Sequence, residues 1–158
     1  MVFFPLCQRM IPLLLPSALQ RILQESRTIA VVGLSLKPER PSYQVARYLQ
    51  EVGYQIIPVN PGQSEILGER CYPDLRSVPV AVDVVDIFRR AEEVEPIVCE
   101  AIAIRAKVIW MQQGIVNEAA ARLAEQAGLT VVMDRCLKVE LEWMRGALSR
   151  CPVLPSSV

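Results

Sequence analysis

The chain has 158 residues, 52% of them apolar, with 17 basic and 17 acidic side chains and no histidine. That length and apolar share fit one domain with a real core and exclude disorder, and the balanced charge excludes a broad field for nucleic acid. The lack of histidine excludes Ser-His-Asp and Cys-His catalysis, imidazole metal ligands and a phosphohistidine intermediate.

Residues 1–16 are apolar and broken by prolines, with Arg9 inside the run. The run is too short to span a bilayer and lacks the early charge of a signal peptide. It is expected to be a mobile extension, with weak membrane contact as the competing reading. A domain over 17–148 and a flexible tail over 149–158 follow. Leu19, Ile22 and Leu23 predict a short helix over 17–26. Residues 29–32 form a continuous apolar run, as in a parallel strand covered on both faces. Gly33 then turns the chain into a loop carrying Lys37 and Arg40. Val45, Ala46, Leu49 and Val52 share one face of a helix over 42–52, with Ser42 as its N-cap and Gly53 as its stop.

A second strand covers 54–59 and ends at Asn60-Pro61-Gly62. An extended segment is expected near 65–71, and a strand over 82–88. A helix over 91–106 contains Pro96, which opens it late or kinks it. Then come a strand over 107–111, a helix over 117–127 stopped by Gly128, and a strand over 129–133. A last helix over 138–148 aligns Leu141, Met144 and Leu148, a stripe suited to the core or to a homodimer.

Strands alternating with helices predict an α/β domain: a doubly wound, mostly parallel sheet with helices on both faces. Ligands of such sheets bind beyond the carboxyl ends of the strands. Five segments meet there: 33–35, 60–61, 88–89, 112–114 and 134–136. A helix N-terminus after Gly33 offers unpaired N–H groups to a phosphate, and Lys37 and Arg40 add charge. A nicotinamide dinucleotide is the weaker reading. The GxGxxG pattern is absent, and Val59-Asn60-Pro61 stands where an acid would hold the ribose. No GK[ST] phosphate loop occurs either. Coenzyme A, with a diphosphate, a 3′-phosphate and a long pantetheine arm, suits the looser cationic turn.

The chain resembles the stand-alone CoA-binding proteins, relatives of the nucleotide-binding domain in the alpha subunit of succinyl-CoA synthetase. The matching pieces are Val32-Gly33-Leu34-Ser35, Arg40-Pro41-Ser42-Tyr43, Val59-Asn60-Pro61, Asp86-Ile87-Phe88-Arg89, Trp110-Met111-Gln112-Gln113-Gly114 and Met133-Asp134-Arg135-Cys136. The resemblance implies a three-layer, single-domain Rossmann-like fold holding CoA or acyl-CoA. By position, Gly33, Leu34, Ser35, Lys37, Arg40, Pro41 and Ser42 would surround the phosphates. Val59, Asn60 and Pro61 would lie near the adenosine. Phe88, Arg89, Gln113 and Gly114 would line the path of the pantetheine. The synthetase uses a phosphorylated histidine, which this chain lacks, so the resemblance implies binding of a small nucleotide ligand without ligase chemistry.

Five cysteines, odd in number and without a CxxC pair, point to a reducing cytoplasm. The competing enzyme reading places a CoA-linked thiol or redox step at Cys136, beside Asp134 and Arg135. Its alternative is a buried cysteine next to a structural Asp134–Arg135 pair. Arg89 has three candidate partners: Asp86, Asp134 or a ligand. Phe88 is suited to core or groove, and Trp110 and Met111 to the core.

Overall fold

A computed structural model describes residues 16–149. The extension expected before residue 16 and the tail beyond 149 lie outside the described residues. The described chain opens with α1 (Pro16–Glu25), which buries Leu19 and Leu23. Strand β1 (Thr28–Val32) is buried at all five positions, as its uninterrupted apolar run demands. Helix α2 (Pro41–Glu51) buries Ser42, Val45, Ala46 and Leu49 and leads through Gly53 into β2 (Gln55–Val59).

The expected extended segment is a small antiparallel hairpin, β3 (Glu65–Ile66) and β4 (Glu69–Arg70). Its two-residue turn puts Leu67 at φ 55° and Gly68 at φ 74°, the double left-handed geometry that matches strand twist. A bridge between Val59 and Tyr72 ties the following loop to the end of β2. Next come a 3₁₀ turn (Leu75–Ser77), β5 (Val84–Ile87) and a second 3₁₀ turn (Ala91–Glu93). Helix α3 (Val94–Ala103) carries Pro96 in its first turn, where a missing N–H costs nothing. Pro96 therefore opens the helix late and does not kink it. Strand β6 (Val108–Met111), helix α4 (Glu118–Gln126), strand β7 (Thr130–Val132) and helix α5 (Leu137–Ser149) complete the chain. Asn117 caps α4, its side chain accepting from the Ala120 N–H.

The main sheet is wholly parallel, in the order β2-β1-β5-β6-β7. Strand alternation divides the core in two. Ala30, Val32, Val85, Ile87, Ile109 and Met111 pack with residues of α3 and α4. Ile29, Val31, Val84, Val108 and Trp110 pack with α1, α2 and α5 on the other face. Leu141 and Met144 are buried there, so this part of the α5 stripe belongs to the core and not to a docking surface. The side chain of Leu148 lies outside the described residues. No helix among the described residues is long and apolar enough to cross a membrane. Strand order reverses between β1 and β5, which opens a crevice at their carboxyl ends.

Candidate functional site

Gly33 ends β1 at φ +85°, and a Cβ there would sit 2.7 Å from the Phe88 carbonyl oxygen. Only glycine satisfies both conditions. Backbone bonds lock three strand ends around it. Gly33 N–H donates to the Val59 carbonyl at 2.9 Å, and Phe88 N–H donates to the Val32 carbonyl at 2.9 Å. Asn60 braces the turn from the side: its Nδ2 donates to the Leu34 carbonyl and its Oδ1 accepts from Gly62 N–H, both at 2.9 Å. Leu34 is fully buried, so it supports the turn from beneath and offers no surface to a ligand. Asn60→Ala strands that buried carbonyl. An unmet buried acceptor costs about 1–3 kcal/mol, so the urea midpoint of Asn60→Ala is expected to fall by a corresponding amount.

Helix α2 starts one residue earlier than the sequence predicts. Arg40 is its N-cap, Pro41 its first helical residue and Ser42 its second, so Ser42 is not the cap. An arginine side chain has no acceptor, and the helix end carries no side-chain cap. Ser42 Oγ instead accepts from Ser35 N–H at 3.0 Å, while Ser35 Oγ accepts from Lys37 N–H at 3.1 Å. These bonds fold 33–42 over a cavity of about 350 Å³ lined by Gly33, Ser35, Lys37, Arg40, Pro41, Ser42 and Phe88. The cavity thus combines an uncapped helix N-terminus with two exposed cations, the ingredients of an anion site.

A second cavity of about 400 Å³ lies across β1, at the ends of Val32 and Val59. It is lined by Pro61 and Arg89, by apolar Pro73, Pro96 and Ile97, and by acids. Three of those acids already serve the fold. Asp74 accepts from Ser77, Glu93 from Arg90 N–H, and Glu100 from Leu75 N–H. The Ser77 bonds hold the Asp74 carboxyl below its usual range. Arg89 lies over Gly33, its Nε 3.1 Å from where a Cβ would stand, at the boundary of the two cavities. The cavities therefore differ in charge: cationic before α2, mainly acidic and apolar beyond β2.

Seven of the predicted residues line the first cavity and three, Val59, Pro61 and Arg89, line the second. Gln113 and Gly114 share the same sheet edge but line neither. Gly114 N–H donates to Asp134 Oδ1 at 2.7 Å, and Arg135 pairs with Glu140 at 3.6 Å. The Asp134–Arg135 pair therefore does not form, and Cys136 beside them is half-buried. Asp86 is no partner of Arg89 either; it is fully buried and accepts from Gln112 Nε2 at 2.6 Å. The acids of the second cavity, and its Pro73 and Pro96, were not among the predicted site residues. Glu92-Glu93 follow β5, and Pro73-Asp74 follow Tyr72, which bridges to Val59 at the end of β2. Among the described residues no group of His, Cys, Asp and Glu could hold a metal.

A family model described as a CoA binding domain matches residues 27–142. The uncharacterized protein YneT of Bacillus subtilis is 44% identical over 121 residues, covering 77% of this chain and 90% of that protein. A solved hypothetical protein from Pyrococcus horikoshii has a TM-score of 0.84 at 40% identity, over 86% of this chain and 96% of that one. An ADP-forming acetate–CoA ligase of Archaeoglobus fulgidus is 32% identical over 76 residues, 47% of this chain but only 11% of the ligase. These matches favour the CoA reading and give no support to the nicotinamide and thiol alternatives. The parallel sheet, the Gly33 turn and the family match over 27–142 together establish that this chain belongs to the CoA binding domain family.

Proposed function

We propose that the protein binds coenzyme A or an acyl-CoA across the two cavities and does not itself convert it. The observation that carries this reading is the uncapped N-terminus of α2, which faces a cavity edged by Lys37 and Arg40. The diphosphate and 3′-phosphate belong on the cationic side, where free N–H groups of the first helical turn and the guanidinium can reach them. The uncharged adenosine belongs beyond Arg89, against Pro61, Pro96 and Ile97, because the acids there would repel phosphate. The pantetheine would leave along Phe88 toward Gln113 and Gly114. The sequence has no histidine to carry a phosphohistidine intermediate, which supports binding over that form of ligase chemistry. The cysteine pattern supports a reducing cytoplasmic setting.

Calorimetry with CoA, NAD, NADP and ATP tests the reading. Heat with CoA and none with NAD is expected; heat with NAD and none with CoA would reverse the assignment. Arg40→Ala removes one charged hydrogen bond and is expected to weaken CoA by about 1.5–3 kcal/mol, roughly 10- to 150-fold. An unchanged affinity takes Arg40 out of the site.

A further inference from the structure

Asp86 is the only charged residue within the five-stranded sheet. The register places it between Val31 of β1 and Trp110 of β6. It is fully buried, with Oδ1 accepting from Gln112 Nε2. Its Oδ2 is the one buried side-chain polar atom without a partner among the described residues. Gln112 is 4% exposed, and its N–H donates to the Ile87 carbonyl, just beyond the end of β6. The amide oxygen of Gln112 has no hydrogen-bond partner among the described residues and is not enclosed, and Gln112 itself follows β6 at the strand-end edge. That edge lies between Phe88-Arg89 and Gln113-Gly114.

The two charge states of Asp86 favour opposite orientations of this amide. A carboxylate only accepts, so it takes the Nε2–H and leaves Oε1 facing outward. A neutral carboxyl carries a proton that has no acceptor beside Oδ2. Donating that proton to Oε1 satisfies it and turns Nε2 outward. Resting on the CoA reading above, we propose that Asp86 is a positioning residue whose proton sets whether Gln112 offers an acceptor or a donor to the pantetheine arm. The arm's amide N–H groups are then accepted only while Asp86 is ionised.

Burial raises the Asp86 carboxyl to about 7, with the Gln112 bond opposing the rise, so both states exist near neutral pH. The charged groups on the covering elements leave it alone. On α2, Arg47 pairs with Glu51; at α5, Lys138 pairs with Glu142 and Arg135 with Glu140. Arg21 and Glu25 of α1, Arg145 of α5 and Arg89 after β5 are absent from the causes of the shift, which are burial and Gln112 alone.

The test compares the parent chain with Asp86→Asn and Gln112→Met, measuring CoA affinity by calorimetry from about pH 8.5 to about pH 6. The ligand's own phosphate titrates alike in all three, so the difference isolates the amide. The parent is expected to lose about five- to tenfold more affinity toward pH 6 than either variant, and CoA to lower the Asp86 midpoint by the same factor. Without ligand, the NMR signals of the Asp86 carboxyl carbon and the Gln112 side-chain amide should shift together with one midpoint. Parallel affinity profiles in all three proteins overturn the proposal. So does a Gln112 amide that stays still while Asp86 titrates. Absence of CoA heat at every pH sinks the CoA reading instead, and the ligand-free titration still reads the amide.

Discussion

Gly33→Ala is expected to destabilise the protein by about 2–5 kcal/mol and to weaken CoA at least tenfold. Two costs add. A non-glycine residue in left-handed backbone costs roughly 1–2 kcal/mol, and Gly33 sits at φ +85°. The new methyl would also stand 2.7 Å from the Phe88 carbonyl oxygen, which belongs to the backbone of a buried strand end and cannot swing aside. Crowding of that kind adds about 1–3 kcal/mol. The relief available is to part β1 from β5, which breaks the Phe88 to Val32 hydrogen bond and widens the crevice. Ser35 then draws away from Ser42 Oγ, and the helix N-terminus loses its alignment with the loop cations. Gly53 is the matched control. It has φ +102° but nothing within 4 Å of a Cβ, so Gly53→Ala should carry the backbone cost alone and leave CoA binding intact. Urea denaturation and calorimetry on both variants separate the two contributions. Equal losses in stability and affinity from both variants would remove the Phe88 contact from the argument.

The sequence carried the fold well because local and global signals agreed. The apolar run at Ile29 to Val32 could only be a strand covered on both faces, and all five residues of β1 are buried. Gly53 and Gly128 mark helix ends by their need for positive φ, and both have it. Pro96 was ambiguous because its effect depends on whether it falls in the first turn, and a 3₁₀ turn before α3 settles that. The start of α2 was misread for a related reason. Ser42 looks like a cap by residue type, but Pro41 is better suited to the first helical position, which moves the cap back to Arg40. The cationic cavity was legible because all its residues but Phe88 fall in one ten-residue loop. The second cavity was not, since its walls come from four separate segments whose acids look like ordinary surface charges. Asn60 reads as a turn residue, and its bracing of the Leu34 carbonyl depends on a strand pairing that spacing alone does not reveal. Asp86 stood with Asp83 in an otherwise apolar run over 82–88, and its partner Gln112 is 26 residues away, just beyond the end of the neighbouring strand.

Removing the Asp86 carboxylate is expected to change how stability depends on pH more than any other single substitution at this edge. The folded state holds this proton up to about pH 7, whereas an unfolded aspartate releases it near 3.8. Between those values the unfolded chain binds fewer protons than the folded one, so stability falls as pH rises, by about 1.4 kcal/mol per pH unit. Over the whole interval the loss from this one group is about 4 kcal/mol, complete above pH 7 and absent below the unfolded value. Asp86→Asn abolishes that slope and keeps an oxygen able to accept from Gln112. It also leaves a buried amide N–H group where Oδ2 stood unpartnered, at a cost of about 1–3 kcal/mol. The variant should therefore be the more stable protein near pH 8 and the less stable one near pH 4.5. Other carboxylates do not blur the comparison. Asp83 loses solvation on burial, but the amides of Arg27 and Thr28 and the Lys107 ammonium hold it below its usual range. Groups of that kind lose their stabilising effect on acidification in both proteins, so the difference curve keeps the Asp86 contribution alone. Urea midpoints taken across the pH range give that curve. A constant difference would mean that Asp86 is ionised in the folded protein throughout, and that the sheet edge tolerates a buried carboxylate whose second oxygen has no partner.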